Sequence, residues 1–404
     1  MGKHMKQKGK KQKAHSSVGV LLGAAFIMAT SAIGPGFLTQ TAHYTDLLKG
    51  SFGFVILATV LISLAVQLNV WRVICVSGKQ AQVIANELIP GFGHVLSLLI
   101  GAGGIVFAIG NIGGGALGLH SLFGIPQSVG TLLAGGIALT VFLMKNVVKA
   151  MDRLSKILGL STILIILFII FMVKPPVGLA LKETVFPSAP MDGLADGIRT
   201  LLGGTVGGYI TFAGAHRLLD AGVTGKERLS EITESSVTGI LIASLVRVLL
   251  FLAVLGVTAG VTGSVLEASN PAADAFVRGA GKIGGILFSM ILISASVTTT
   301  VGCSYTTMSF VKTIHPWVEE HSRFLTCMFI AVCTGLMEWI GKPAKLLIIA
   351  GSLNAFLIPI TLGMCLAASR KSSIMGGDYH HPRWMSVCGI LAILLTLVLI
   401  AVTF

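Results

Sequence analysis

Two apolar stretches of this chain are interrupted in a way that few environments tolerate. One carries Gly34-Pro35-Gly36, followed by Thr39-Gln40-Thr41-Ala42-His43; the other carries Gly203-Gly204 and then Gly207-Gly208-Tyr209. Proline removes a backbone donor and glycine weakens a helix, so helical hydrogen bonding is expected to lapse at both places. In hydrocarbon no water repairs that loss, and the freed backbone must be buried in protein or line a wet cavity. Such breaks, at matching places in two halves of a chain, point to a solute-binding site near the bilayer midplane.

The composition puts these breaks in a membrane. Of the 404 residues, 54% are hydrophobic and 11% are charged, with a mean hydropathy of +0.89; a soluble domain is about a quarter charged. Stretches able to cross a hydrocarbon core of about 30 Å fall near 17–46, 51–71, 94–121, 127–144, 154–173, 193–219, 235–262, 283–311, 324–341, 344–368 and 384–403. Eleven transmembrane helices are therefore expected.

Charge placement orients them. The net charge is +13, and six lysines lie in the first thirteen residues. Loops on the N-terminal side hold twenty Lys and Arg and those on the opposite side eight. This asymmetry predicts a cytoplasmic N-terminus and an external C-terminus in a plasma (inner) membrane. The positive charge thus reports topology and not a nucleic-acid surface. Residues 1–16 read as a basic cytoplasmic tail and 17–404 as one transmembrane domain.

An odd count with breaks in the first and sixth spans divides naturally. Two five-helix repeats of opposite orientation, about 17–173 and about 193–368, would be followed by an eleventh helix at about 384–403. The expected fold class is all-α and polytopic, a LeuT-like 5+5 inverted repeat plus one helix.

Several motifs resemble the NRAMP (natural resistance-associated macrophage protein) transporters. Gly34-Pro35-Gly36-Phe37-Leu38 is similar to the opening of that family's first helix, and Leu122-Phe123-Gly124-Ile125-Pro126 to its turn between helices 3 and 4. Gly204-Thr205-Val206, with Phe212 seven residues beyond Thr205, resembles the entry to its helix 6. The resemblance implies a transporter that holds a divalent transition metal through Asp-Pro-Gly-Asn in helix 1 and Met-Pro-His in helix 6. Here the first stretch reads Thr39-Gln40-Thr41-Ala42-His43-Tyr44-Thr45-Asp46, and Gly207, Gly208 and Tyr209 stand at the Met-Pro-His positions. The family's acidic pair in helix 3 falls on Ala108 and Asn111, and its helix 10 glutamine on Leu357, with Asn354 one turn away.

Those replacements argue against a bare metal. A dehydrated dication needs anionic ligands to offset its desolvation. The two breaks offer hydroxyls, an amide, a phenol and an imidazole. No metal-ligand set and no catalytic set is assigned, and no cofactor is expected. Thr39, Gln40, Thr41, Ala42, His43, Gly207, Gly208, Tyr209 and Asn111 are the candidate substrate-binding residues. Glycines expose backbone amides to a solute larger than an ion, and half-helix N-termini favour a carboxylate.

Coupling candidates are Ser296, Thr299 and Thr300 for sodium, since hydroxyls suit a hard monovalent cation, and His43 for a proton. The hydroxyls read equally as bonding back to their own helix, and His43 equally as an orienting hydrogen-bond partner. Asp46 reads as a solvated helix-end acid, with a ligand role as the alternative. Arg247, inside the seventh span, is expected either to pair with Glu231 or Glu234 or to face a watery vestibule.

No P-loop, GxSxG, HExxH or redox cysteine pair occurs, so soluble catalysis has no support. The expectation is an ion-coupled secondary transporter of a small organic solute, amino-acid-like or carboxylate-bearing, whose partners are the bilayer and that solute. The alternatives are a divalent-cation transporter with altered ligands, hydrated Mg²⁺ foremost, and a non-transporting receptor or subunit on the same frame. Oligomeric state is not legible.

Overall fold

The computed structural model describes residues 24–25, 28–29, 32–144, 147–267 and 269–403. The basic tail and the start of the first expected span lie outside them. Helix α1 (Pro35–Leu48) starts on a proline whose fixed φ suits a first helical position, directly after extended Gly34 (φ −98°, ψ −176°). A single 3₁₀ turn, Lys49–Ser51, leads into α2 (Phe52–Ser77). Then follow α3 (Ala81–Leu88), α4 (Phe92–Phe123), α5 (Gln127–Leu143), α6 (Val147–Val173) and α7 (Val177–Val185). Lys174-Pro175-Pro176 separates the last two, whose axes differ by 109°, because prolines cannot continue the ladder.

The second half holds α8 (Met191–Val206), α9 (Ile210–Asp220), α10 (Leu229–Thr258) and α11 (Pro271–Val311). Helix α11 bends at Ala280–Gly281, where Gly281 has φ 60°. The chain ends in α12 (Pro316–Glu320), α13 (Ser322–Ile340), α14 (Pro343–Ala355), α15 (Leu357–Ala368), α16 (Ser372–Met375) and α17 (Arg383–Thr403).

Seven segments of the described residues are long and apolar enough to cross a membrane, or eight if the bent α6–α7 pair is one span. Eleven stretches were expected, and the difference has local causes. Pro35–Ser77 runs as one segment across two expected spans, α5 has 17 residues, and 193–219 is divided at Gly207 into helices of 16 and 11 residues.

Helix α1 packs against α4, α8, α10, α11 and α14, so both breaks lie at the centre of the bundle. Close approach there depends on small residues. A β-carbon at Gly114 would run into Pro35, and one at Gly113 would lie 2.5 Å from Met337 Sδ. Helix α17 sits outside and turns Leu391, Leu394, Leu395 and Val398 outward, the surface a bilayer would cover.

Asp46 differs from its sequence reading. It is buried, 2% exposed, and accepts from Ser264 Oγ (2.8 Å) and from the backbone N–H groups of Val265 and Leu266 (3.0 Å each), with Lys49 Nζ at 2.8 Å. The carboxylate clamps the α10–α11 loop onto the end of α1, a use of a buried charge that requires this many donors.

Candidate substrate site between the broken helices

The first break is sharper and earlier than the Gly-Pro-Gly motif alone indicates. Ile33 N still donates to Ala29 O (2.7 Å), but Gly34 N turns back to Ala32 O (2.9 Å) and α1 restarts at Pro35. Thr39, Gln40, Thr41, Ala42 and His43 therefore lie within continuous α1, roughly 8 to 14 Å along its axis from Gly34. At the second break Gly207 is extended (φ −82°, ψ 155°) and Gly208 is left-handed (φ 56°), and the helix resumes at Ile210. Ile210 N reaches only Gly207 O, at 3.3 Å, a turn in place of a helical bond.

Both restarting helices, α1 and α9, begin at these breaks. Their first N–H groups carry the positive end of the helix dipole.

Four side chains close around the breaks. Asn111 and Thr299 flank Gly34: a β-carbon there would stand 3.2 Å from Asn111 Oδ1 and 2.8 Å from Thr299 Cγ2. Asn354 on α14 faces Gly208 and Gly103, and a β-carbon at either would overlap its Oδ1. Tyr209 is 1% exposed, stands edge-on to Phe107 with ring centroids 5.8 Å apart, and has its phenol in reach of the Asn111 amide and the Cys303 thiol. Asn354 was singled out in the sequence only by its distance from Leu357. Its own signal is an amide in an apolar span, whereas Asn111 came from the position of the resembled family's acidic pair.

The remaining candidates take distinct places. Gln40 is fully buried and donates from Nε2 to Leu347 O at 2.9 Å, while its Oε1 has no partner and faces Gly204. Thr41 Oγ1 donates to Phe37 O (2.7 Å), so its proton is used within its own helix. Thr39 and Ala42 are buried, and His43 is half-buried against the Tyr44 ring. Ser296 Oγ donates to the Asn111 carbonyl (2.6 Å) and Thr299 Oγ1 to Ala295 O (2.6 Å), whereas Thr300 Oγ1 is buried without a partner.

The cations are also placed. Arg247, 3% exposed, donates from Nη1 to Thr205 Oγ1 at 2.8 Å and lies 3.9 Å from the centre of the Phe37 ring. Glu231, one of its expected partners, instead pairs with Arg228 at 2.6 Å. His216 is buried and its Nδ1 lies 2.9 Å from Ser309 Oγ.

No group of three or more His, Cys, Asp or Glu side chains gathers among the described residues. The Natural resistance-associated macrophage protein-like (Nramp) profile matches residues 25–404. The chain belongs to the Nramp family.

Members of that family are transporters and not enzymes. The Bacillus subtilis (strain 168) membrane protein YcsG is 48% identical over 399 residues, covering 99% of this Nramp chain and 96% of YcsG. The branched-chain amino acid permease BraB of the same organism is 26% identical over 298 residues, covering 70% and 64%. Among solved structures, the Eremococcus coleocola manganese transporter superposes with a TM-score of 0.73 at 16% identity, covering 94% of this chain and 85% of that one. MhsT in complex with L-phenylalanine gives a TM-score of 0.66 at 16% identity, covering 95% and 98%. The fold of this Nramp-family protein is thus the LeuT-like one, and it is an integral membrane protein.

Proposed function

We propose that this Nramp-family transporter carries a small organic solute with a carboxylate, held where the break before α1 meets the break between α8 and α9. One observation carries the reading: the lining of the breaks is uncharged. Asn111, Asn354, Tyr209 and Thr299 surround two helix N-termini, with no carboxylate among them. Convergent N–H groups and amides suit an anionic head, while a desolvated dication would meet no compensating charge. Gln40 Oε1, Asn354 Oδ1 and Thr300 Oγ1, all buried and unpartnered, are available to donors on a solute or to a cation. The likeness to an amino-acid permease and to a structure holding an amino acid agrees with this class.

Transport is coupled to an ion. Sodium is served by Thr299 beside Gly34 and by the unpartnered hydroxyl of Thr300 next to it in sequence, with Ser296 one turn away; a proton is served by His43 near the far end of α1. Family membership and the manganese transporter neighbour favour a second reading, a divalent cation carried with its water so that neutral amides suffice. Uptake into proteoliposomes separates the two. Carboxylates or amino acids driven by a sodium or proton gradient are expected to enter, and Mn²⁺ or Mg²⁺ uptake without organic uptake would sink the first reading.

A further inference from the structure

Arg247 presents a charge that the protein leaves uncompensated. Its guanidinium has one hydrogen bond, to Thr205, and one ring face, Phe37; Nε and Nη2 are buried without partners. No carboxylate among the described residues acts on it. An isolated buried cation is costly, and inside membrane proteins such groups pair or bind.

The guanidinium borders a cavity of about 10 Å³ enclosed by α2, α8 and α10. Thr59, Ser63, Thr205 and Ser244 contribute hydroxyls to its wall. Thr59, Thr205 and Ser244 give their protons to carbonyls one turn back in their own helices. Ser63 Oγ, fully buried, has no partner. Its proton and two guanidinium donors are thus the unspent donors at this cavity, and together they call for an acceptor. The volume admits one atom-sized occupant and excludes a carboxylate-bearing solute.

We propose that this cavity is a site for a single monovalent anion of chloride size, bound by Arg247 and Ser63. Guanidinium is a weakly hydrated cation, matched to a halide that gives up water readily. The occupied site would neutralise Arg247 between Phe37, three residues after the first break, and Thr205, two residues before the second. The anion would thereby fix the packing of α1 against α8 and α10. This goes beyond the transported solute and does not depend on its identity.

The test uses the purified full chain in detergent, with its melting temperature followed as sodium chloride replaces sodium gluconate at constant ionic strength. Chloride and bromide are expected to raise Tm saturably. Arg247→Gln is expected to abolish the response. Ser63→Ala, which keeps the cation and the fold, is expected to raise the half-saturating chloride concentration about tenfold. The proposal is overturned if the wild-type Tm is the same in chloride and gluconate, if Ser63→Ala responds like wild type, or if acetate stabilises as well as chloride.

Discussion

Gly208 faces Asn354 so closely that a β-carbon on the glycine would overlap the amide oxygen. The pair joins the break between α8 and α9 to α14, and it leaves Asn354 Oδ1 buried, unpartnered and aimed at the backbone of Gly208. Alanine at 208 would meet that overlap and also a left-handed φ of 56°, which costs a residue with a β-carbon about 1–2 kcal/mol. Gly208→Ala is therefore expected to lower Tm and abolish uptake, measured per folded protein. Gly207→Met is expected to fail similarly, because a β-carbon there stands 2.6 Å from Gly203 O and 2.7 Å from Asn354 O.

Gln40 permits a separation of binding from stability. Its Nε2 bond to Leu347 O and its orphan Oε1 are lost together in Gln40→Met, which keeps the volume. The lost bond and the relieved oxygen largely offset, so stability should change by about 1 kcal/mol or less. A solute donor that used Oε1 would lose affinity about tenfold. Uptake KM and Tm on the same preparation check this; an unchanged KM would remove Gln40 from the site.

Asp46→Asn should loosen the α10–α11 loop. The carboxylate accepts from Ser264, Val265, Leu266 and Lys49, and an amide replaces one acceptor oxygen with a donor. A loss of about 1–3 kcal/mol is expected, with faster hydrogen exchange at Val265 and Leu266. Equal exchange rates in the two proteins would contradict the clamp.

His381 gives a pH dependence outside the membrane. Its Nδ1 lies 2.8 Å from the Tyr379 hydroxyl and its Nε2 2.8 Å from Asn69 Oδ1, which a neutral ring satisfies as acceptor and donor. Burial first, and then the charge of Arg72, pull it down to about 4. The unfolded chain therefore binds a proton between about pH 6.5 and 4 that the folded chain does not. This contribution to stability is complete above about pH 6.5 and is lost as pH falls through about 4. Tm measured from pH 7.5 to 4 should fall less steeply for His381→Asn than for wild type.

The breaks were legible because proline and glycine act on the backbone wherever they stand. Their edges were not: Gly34 is extended while Thr39–His43 stay helical, since polar side chains in α1 bond within the helix, as Thr41 does, or across to α14, as Gln40 does. Asn111 was reached through the resembled family's acidic pair in helix 3, whereas Asn354 carries only the local mark of an amide in an apolar span. Asp46 keeps its near neighbour Lys49 as a partner, but its other donors, Ser264, Val265 and Leu266, and the partner of Arg247, Thr205, come from distant chain. Long-range partners of a buried charge leave no local pattern to read. Apolar stretches, charge placement and the two breaks supplied the order of the helices, and the departures from the family motifs supplied the uncharged lining.

The central claim is that this lining binds an organic anion and not a metal. The most direct measurement is uptake by purified protein in proteoliposomes, with labelled monocarboxylates and amino acids on one side and Mn²⁺ on the other, under imposed sodium and proton gradients. Gradient-driven uptake of a carboxylate-bearing solute, lost in Gly208→Ala, is the predicted result. Saturable Mn²⁺ uptake with no organic solute transported would contradict it.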